Sequence, residues 1–282
     1  MQLAVNAALP TVYGGVQGET IYVDTEGSFS PERCHQMSLA LVNHIHTGRR
    51  KQQATAAVTT HHQQQQQSSP DLPATFTPDG ILQGIHVYRV HDPAAQTAVV
   101  HALPVLLHQR AAAGSPVRLI VVDSVAFHHR TGAAEGDEAQ YYLRRTRLLT
   151  QQAAFLARTA VDFGLAVVAI NQMTTQFSSR ANHNGGSRSS SSISGSGAVA
   201  TQTCLVPALG ESWAHAVTTR LLLTCSTGGG GGNAEEEQRT CHLVKSPRLP
   251  SGQAVYSVTA QGVRGATSSS SSNSNTKRQR TS

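Results

Sequence analysis

Lysine is almost missing from this chain: of 282 residues only Lys51, Lys245 and Lys277 carry an ammonium group, and none follows a glycine-rich loop or opens a helical stretch. This excludes a Gly-Lys-Ser/Thr loop, whose backbone N–H groups wrap nucleotide phosphates while its lysine neutralises the β- and γ-phosphates. Gly14–Thr20 is glycine-rich, but it holds Glu19 where a cation would be needed and precedes a strand pattern, so it reads as a turn. Cysteine is equally unpatterned. Cys34, Cys204, Cys225 and Cys241 form no Cys-x-x-Cys pair, which argues against a zinc site or a disulfide framework and for free intracellular thiols. No apolar run approaches a membrane span, and the N-terminus lacks a basic region followed by an apolar segment and a cleavage site. The expectation is therefore a soluble, non-secreted protein.

Charged residues make up only 13 %, and the polar balance comes from Ser, Thr, Gln and Gly gathered in a few tracts, so the globular part is shorter than the chain. Net charge is +6, of which Lys277, Arg278 and Arg280 supply three, leaving +3 elsewhere. That mild surplus permits a nucleic-acid partner without demanding one. The fourteen histidines invite a metal hypothesis. Yet His61-His62 adjoins a glutamine run, and His128-His129 and His44-x-His46 have no carboxylate or cysteine at ligand spacing, so they read as surface or loop residues.

Short β-branched apolar runs alternate with longer helical patterns, which predicts a mostly parallel sheet covered by helices. Strands are expected at Thr20–Asp24, Ile85–Val90, Arg118–Asp123 and Leu165–Asn171. A helix is expected over Pro31–His46, with Ser30 as N-cap, Pro31 at its first position and Glu32 where the helix dipole favours an acid. Two more are expected at Thr97–Arg110 and Arg145–Phe163, the latter with Leu149, Leu156 and Phe163 on one apolar face. Beyond Asn171 the strands Thr218–Thr224, Cys241–Lys245 and Ala254–Thr259 follow one another without helices, as antiparallel additions to a sheet edge. Low-complexity segments 47–79, 178–203 and 228–234 read as mobile insertions into a domain spanning 1–266, and 267–282 as a disordered Ser-rich tail with a short basic cluster of nuclear-import type.

Two strands close on an acid. Thr20-Ile21-Tyr22-Val23-Asp24-Thr25-Glu26 delivers Glu26 to an open loop, and Leu119-Ile120-Val121-Val122-Asp123 has the form of a Walker B segment, whose Asp holds a Mg²⁺ hydration shell. Ala166–Ile170 then closes on Asn171-Gln172, setting an amide at the same rim. An acid for the metal plus a second polar group to position water is what Mg²⁺-dependent hydrolysis requires.

In order, Asp24-Thr25-Glu26-Gly27-Ser28-Phe29 with Pro31-Glu32-Arg33, then Leu119–Asp123, Asn171-Gln172-Met173-Thr174-Thr175, Pro207-Ala208-Leu209-Gly210 with Trp213-Ala214-His215, and Thr219-Arg220-Leu221 resemble the motifs of RecA-type recombinases. The resemblance is nearest to the eukaryotic recombinase paralogues, and among them to the C-type, through Val206–Trp213 and Arg145–Leu149. It covers Met1 to Arg264 and implies an α/β RecA-like core: a mostly parallel twisted sheet flanked by helices, with antiparallel C-terminal strands. It implies a nuclear, ATP- and Mg²⁺-dependent DNA-repair protein that acts on single-stranded and branched DNA in hetero-oligomers with other paralogues. Glu26 would polarise the attacking water, Asp123 would hold the Mg²⁺ shell, Gln172 would sense the γ-phosphate and Arg33 would stack on adenine. DNA-binding loops would fall at His128–Gln140, with Arg130, and at Met173–Val206, with Arg180 and Arg188; Ser246-Pro247 would cap a neighbouring subunit's ATP.

The departure is the absent phosphate loop. Met1–Val5 resembles the middle of the helix that follows that loop, so the core is expected to be N-terminally incomplete, lacking its first strand and the small N-terminal domain. Two accounts stay open: a shortened version of an ATPase, or an assembly subunit that has lost nucleotide chemistry. On either, Leu3 and Val5 are expected to be poorly buried. A hexameric helicase or circadian-type ATPase sharing the core is a third reading.

Overall fold

The computed structural model describes residues 1–59, 72–129, 138–178, 202–227 and 237–266. They fall into two compact units, Met1–Val217 and Thr218–Ser282.

The first unit is built on a parallel sheet of β1 (Glu19–Asp24), β2 (Ile85–Arg89), β3 (Val117–Asp123) and β4 (Ala166–Ile170), in the order β2-β1-β3-β4. The helices are α1 (Gln2–Ala7), α2 (Pro31–Thr59), α3 (Pro78–Gln83), α4 (Pro93–Ala112), α5 (Glu138–Asp162) and α6 (Gly210–Ala216). The chain leaves β1 toward β2 on one side and leaves β3 toward β4 on the other. The C-terminal ends of β1 and β3 therefore flank a topological switch point, where a crevice opens in sheets of this type.

Both faces of the central strands are covered, so each side chain along them finds an apolar layer. Tyr22, Leu119 and Val121 pack with Ala4 and Ala7 of α1. Their neighbours Ile21, Val23, Ile120 and Val122 pack on the other face with Val100, Leu103 and Leu107 of α4 and Leu149, Ala153 and Leu156 of α5. Leu149 and Leu156 thus lie in the core as their spacing implies, with Phe163 partly buried against it. The α2 start agrees with the Ser30 cap: Arg33 N donates to Ser30 Oγ at 3.1 Å. The α4 helix begins earlier than expected because Asp92 caps it, accepting from Ala95 N at 2.7 Å ahead of Pro93.

Several expectations need correction. Helix α2 continues to Thr59, because Arg49, Arg50, Lys51, Gln52 and Gln53 favour helix, and the end of the 47–79 segment holds the buried Phe76 and the first residues of α3. Val5 is fully buried, packing with Cys34, Met37 and Ile81, whereas Leu3 is exposed as expected. His129 is buried rather than superficial. Residues Met173–Ser178 and Gln202–Pro207, at the ends of the expected 178–203 insertion, form a two-stranded antiparallel ribbon, β5 and β6.

In the second unit, β7 (Arg220–Thr227), β8 (Glu237–Lys245), β9 (Gly252–Thr259) and β10 (Gly262–Gly265) form an antiparallel sheet of their own, in the order β10-β9-β8-β7. Among the described residues these strands pair only with one another, so they are not additions to the parallel sheet's edge. The β7–β8 pair runs in register up to Thr227 and Glu237, on either side of the glycine run.

At the N-terminal end of the parallel sheet, Glu19 is held by Arg110 through two bonds of 2.7 and 2.6 Å and by His86 Nε2 at 2.8 Å, tying β1 to β2 and α4. Burial alone would push the Glu19 carboxyl up, but the Arg110 and His86 bonds offset that and hold it below its ordinary value. Because the folded value is depressed, the stabilisation is complete above the unfolded value of about 4.3 and is lost as pH falls through the folded one. Glu19→Gln is expected to cost about 2 kcal/mol at neutral pH, and the gap should close on acidification. Urea midpoints over that range test this; a gap independent of pH contradicts it.

Candidate functional site

The rim at the switch point is built from the ends of β1, β3 and β4. Glu26 Oε1 accepts from Ser124 Oγ at 2.6 Å and also from Gln172 Nε2, while among the described residues Oε2 makes no bond. One carboxylate oxygen is therefore fixed by two donors, Ser124 and Gln172. Asp123 Oδ2 accepts from the Tyr22 hydroxyl at 2.5 Å. Burial, then the bond to Asp123, push the Tyr22 hydroxyl far above its ordinary value, so it stays a donor at any physiological pH.

The strand ends are locked by a reciprocal pair: Ser124 N donates to Thr25 Oγ1 at 2.7 Å, and Thr25 Oγ1 donates to the Ser124 carbonyl at 2.9 Å. Thr25 N donates to the Asp123 carbonyl at 2.8 Å, and the Asp123–Ser124 peptide is cis. Thr25 and Ser124 are both buried, so each bond replaces water that cannot reach them.

Sequence reasoning thus named three residues of this rim, Glu26, Asp123 and Gln172, and passed over Tyr22, Asp24, Ser124 and Arg89. Asp24 had a readable signal, since Asp-x-Glu-Gly is a turn signature in which the aspartate accepts from backbone N–H groups just ahead of it. Its Oδ1 accepts from the N–H groups of Glu26 (3.2 Å), Gly27 (2.8 Å) and Ser28 (3.2 Å), and Oδ2 from that of Phe29 (3.3 Å). Arg89 completes the arrangement at 3.1 Å from Oδ2.

Gln172 also joins the rim to the β5–β6 ribbon. Its carbonyl accepts from Ala208 N at 2.9 Å, directly after β6, and the Ala208 carbonyl accepts from Arg145 of α5 at 2.8 Å. Burial, then the nearby Arg145 and His128, push the His129 imidazole below its ordinary value, which keeps it neutral beside that arginine.

Arg33 lies in the first turn of α2, half-buried, with NH1 donating to Gln36 at 3.1 Å. Ser246 and Pro247 belong to the second unit, where Ser246 Oγ accepts from the N–H groups of Arg248 and Leu249 in a turn after β8. Arg130, Arg180 and Arg188 lie outside the described residues.

The rim is rich in acceptors. Besides the carboxylates, Asn171 Oδ1 and Gln172 Oε1 are buried with no hydrogen-bond partner among the described residues. Such a set fits a hydrated divalent cation and its waters. Among the described residues no three His, Cys, Asp or Glu side chains form a cage, and Mg²⁺, which keeps several waters and uses one or two carboxylates, needs none. For the phosphates of a nucleotide the fit is poor: Lys51 is exposed on α2, Lys245 belongs to the second unit, and Lys277 lies outside the described residues.

A Rad51 family model matches residues 1–69 and 73–266. The chain belongs to the Rad51 family. This Rad51-family chain is 33 % identical over 265 residues to the "DNA repair protein RAD51 homolog 3" of Dictyostelium discoideum, covering 93 % of the chain and 55 % of that protein. It is 32 % identical over 274 residues to the protein of the same name from Cricetulus griseus, covering 96 % and 60 %. It is also 28 % identical over 267 residues to the "DNA repair and recombination protein RadA" of Methanocorpusculum labreanum, covering 93 % and 64 %. It therefore spans little more than half the length of the first two relatives. The parallel sheet between helices, with antiparallel strands following, is the RecA-like α/β fold.

Proposed function

We propose that this Rad51-family chain works in DNA repair by homologous recombination as a recombinase paralogue, in the nucleus, within a hetero-oligomer of paralogues that binds single-stranded and branched DNA. The observation that carries the reading is the convergence of Ser124 and Gln172 on one carboxylate oxygen of Glu26, at the same strand ends as Asp123 and at the switch point of a parallel sheet. Bound Mg²⁺ and ATP would supply the charge neutralisation and the phosphoryl bond on which the site acts. Glu26 Oε2 is available to take the proton of a water, while Ser124 and Gln172 keep the other oxygen from turning away. Asp123, held by Tyr22, presents a fixed carboxylate to the waters of a cation. Gln172 makes the position of Glu26 and that of the β5–β6 ribbon depend on each other, which gives a route from the site to the chain between β5 and β6, where Arg180 and Arg188 occur in the sequence. Those two and Arg130 would contact DNA phosphates. Arg33 would stack on adenine, and Ser246-Pro247 would face a neighbouring subunit's nucleotide.

A second reading, an assembly subunit without nucleotide chemistry, is favoured by one specific observation: among the described residues of the first unit the lysine is Lys51, exposed far along α2 from the helix start at Pro31. Equilibrium binding of Mg·ATP separates the two. Micromolar binding by the chain as it stands contradicts the assembly reading. No binding alone, with binding gained when a phosphate-loop segment from a relative is fused ahead of Met1, supports the ATPase reading; no binding in either form supports assembly.

A further inference from the structure

The turn that carries Glu26 is organised around a charge rather than around apolar contacts. Asp24 is 3 % exposed, and its carboxylate takes up four successive backbone N–H groups, those of Glu26 to Phe29. A carboxylate removed from water this completely needs a cation, and it is the end residue of the neighbouring strand that provides one. Arg89 closes β2, stands in register with Asp24, and sets NH1 3.1 Å from Oδ2. The same guanidinium lies across the turn. Gly27 has φ +76°, a conformation that favours glycine, and a Cβ there would come within 2.5 Å of Arg89 NH2, so the backbone bends closely over the guanidinium. Val90 N donates to the Asp24 carbonyl at 2.9 Å, which fixes the end of β2 to the same residue.

We propose that Asp24 and Arg89 form a clamp that positions Glu26: the aspartate folds residues 26–29 into the turn, and the arginine holds the aspartate. Neither residue touches Glu26's carboxylate, so both act as positioning residues. The clamp takes its functional meaning from the reading of Glu26 as a water-activating acid. Its geometry can nevertheless be tested without nucleotide. Glu26 reaches Ser124 and Gln172 only if its backbone is held; a loosened turn releases Gln172 Nε2, whose side-chain amide signals therefore report where Glu26 is.

The experiment uses the full ¹⁵N-labelled chain, with Glu26→Ala fixing the Gln172 side-chain signals when no carboxylate is present. In Asp24→Asn and in Arg89→Ala those signals should move toward the Glu26→Ala positions. Amide exchange at Gly27, Ser28 and Phe29 should quicken about ten-fold or more, as expected for loss of a charge-assisted bond, while Val23 and Val121 keep wild-type rates. A merely structural loss would raise exchange along both strands and leave no specific change at Gln172. The proposal is overturned if either variant folds and Gln172 keeps its wild-type signals. Arg89, whose side chain is 40 % exposed, decides the matter alone if Asp24→Asn does not fold. Because no ATP is present, a chain that never binds nucleotide would still give the expected result, so failure of the clamp and failure of the ATPase reading are told apart.

Discussion

Trp213→Ala is expected to lower the unfolding free energy by about 3–5 kcal/mol, the range for emptying a buried aromatic site. Helix α6 has only seven residues and no side-chain cap, too short to persist on its own propensity. What holds it is Trp213, 6 % exposed and packed with Leu209 in the core layer that also contains Leu149, Ala153 and Leu156 of α5. The loss should reach further than a cavity, because Ala208, which bonds both Gln172 and Arg145, adjoins the helix's N-cap Leu209. Urea unfolding should show the midpoint fall with little change of slope. A loss below about 1 kcal/mol, within the range of ordinary surface changes, would contradict the anchoring role.

The second large effect is chemical. Glu26→Gln keeps an oxygen that can accept from Ser124 and Gln172, so the rim is expected to hold its shape. An amide cannot take a proton from water, and the turnover of Mg·ATP by an ATPase-competent, phosphate-loop form should fall about 10²–10⁴-fold, with nucleotide affinity changed far less. That split between kcat and KM distinguishes lost chemistry from lost binding. Equal losses in both would mean that Glu26 helps to bind the nucleotide instead.

The parallel strands were legible because burial on both faces demands continuous apolar runs, and β1 and β3 are such runs, each ending on an acid. Glu26, Asp123 and Gln172 could be named for the same reason: each stands at or just past a strand end. What supports them was harder to see. Tyr22 reads as one more core residue until its hydroxyl is found on Asp123, a pairing across 101 positions that no local pattern announces. Arg89 looks like a polar residue ending a strand, and only the β1–β2 register brings it to Asp24. The β5–β6 ribbon escaped notice because its strands are short and polar, and their pairing joins Met173 to Pro207. Helix α1 was misjudged at Val5, since its burial depends on α2 and α3 folding back over it.

The ligand proposed for the rim between β1 and β3 is the metal and terminal-phosphate end of a nucleotide. Mapping Mg·ATP onto the ¹⁵N-labelled chain carrying a fused phosphate-loop segment tests it most directly. The amides of Glu26 to Phe29, Ser124 and Val125 and the Gln172 side chain are expected to shift together, and Asp123→Asn is expected to weaken the response. Saturable binding that leaves those residues unmoved while others shift would contradict it.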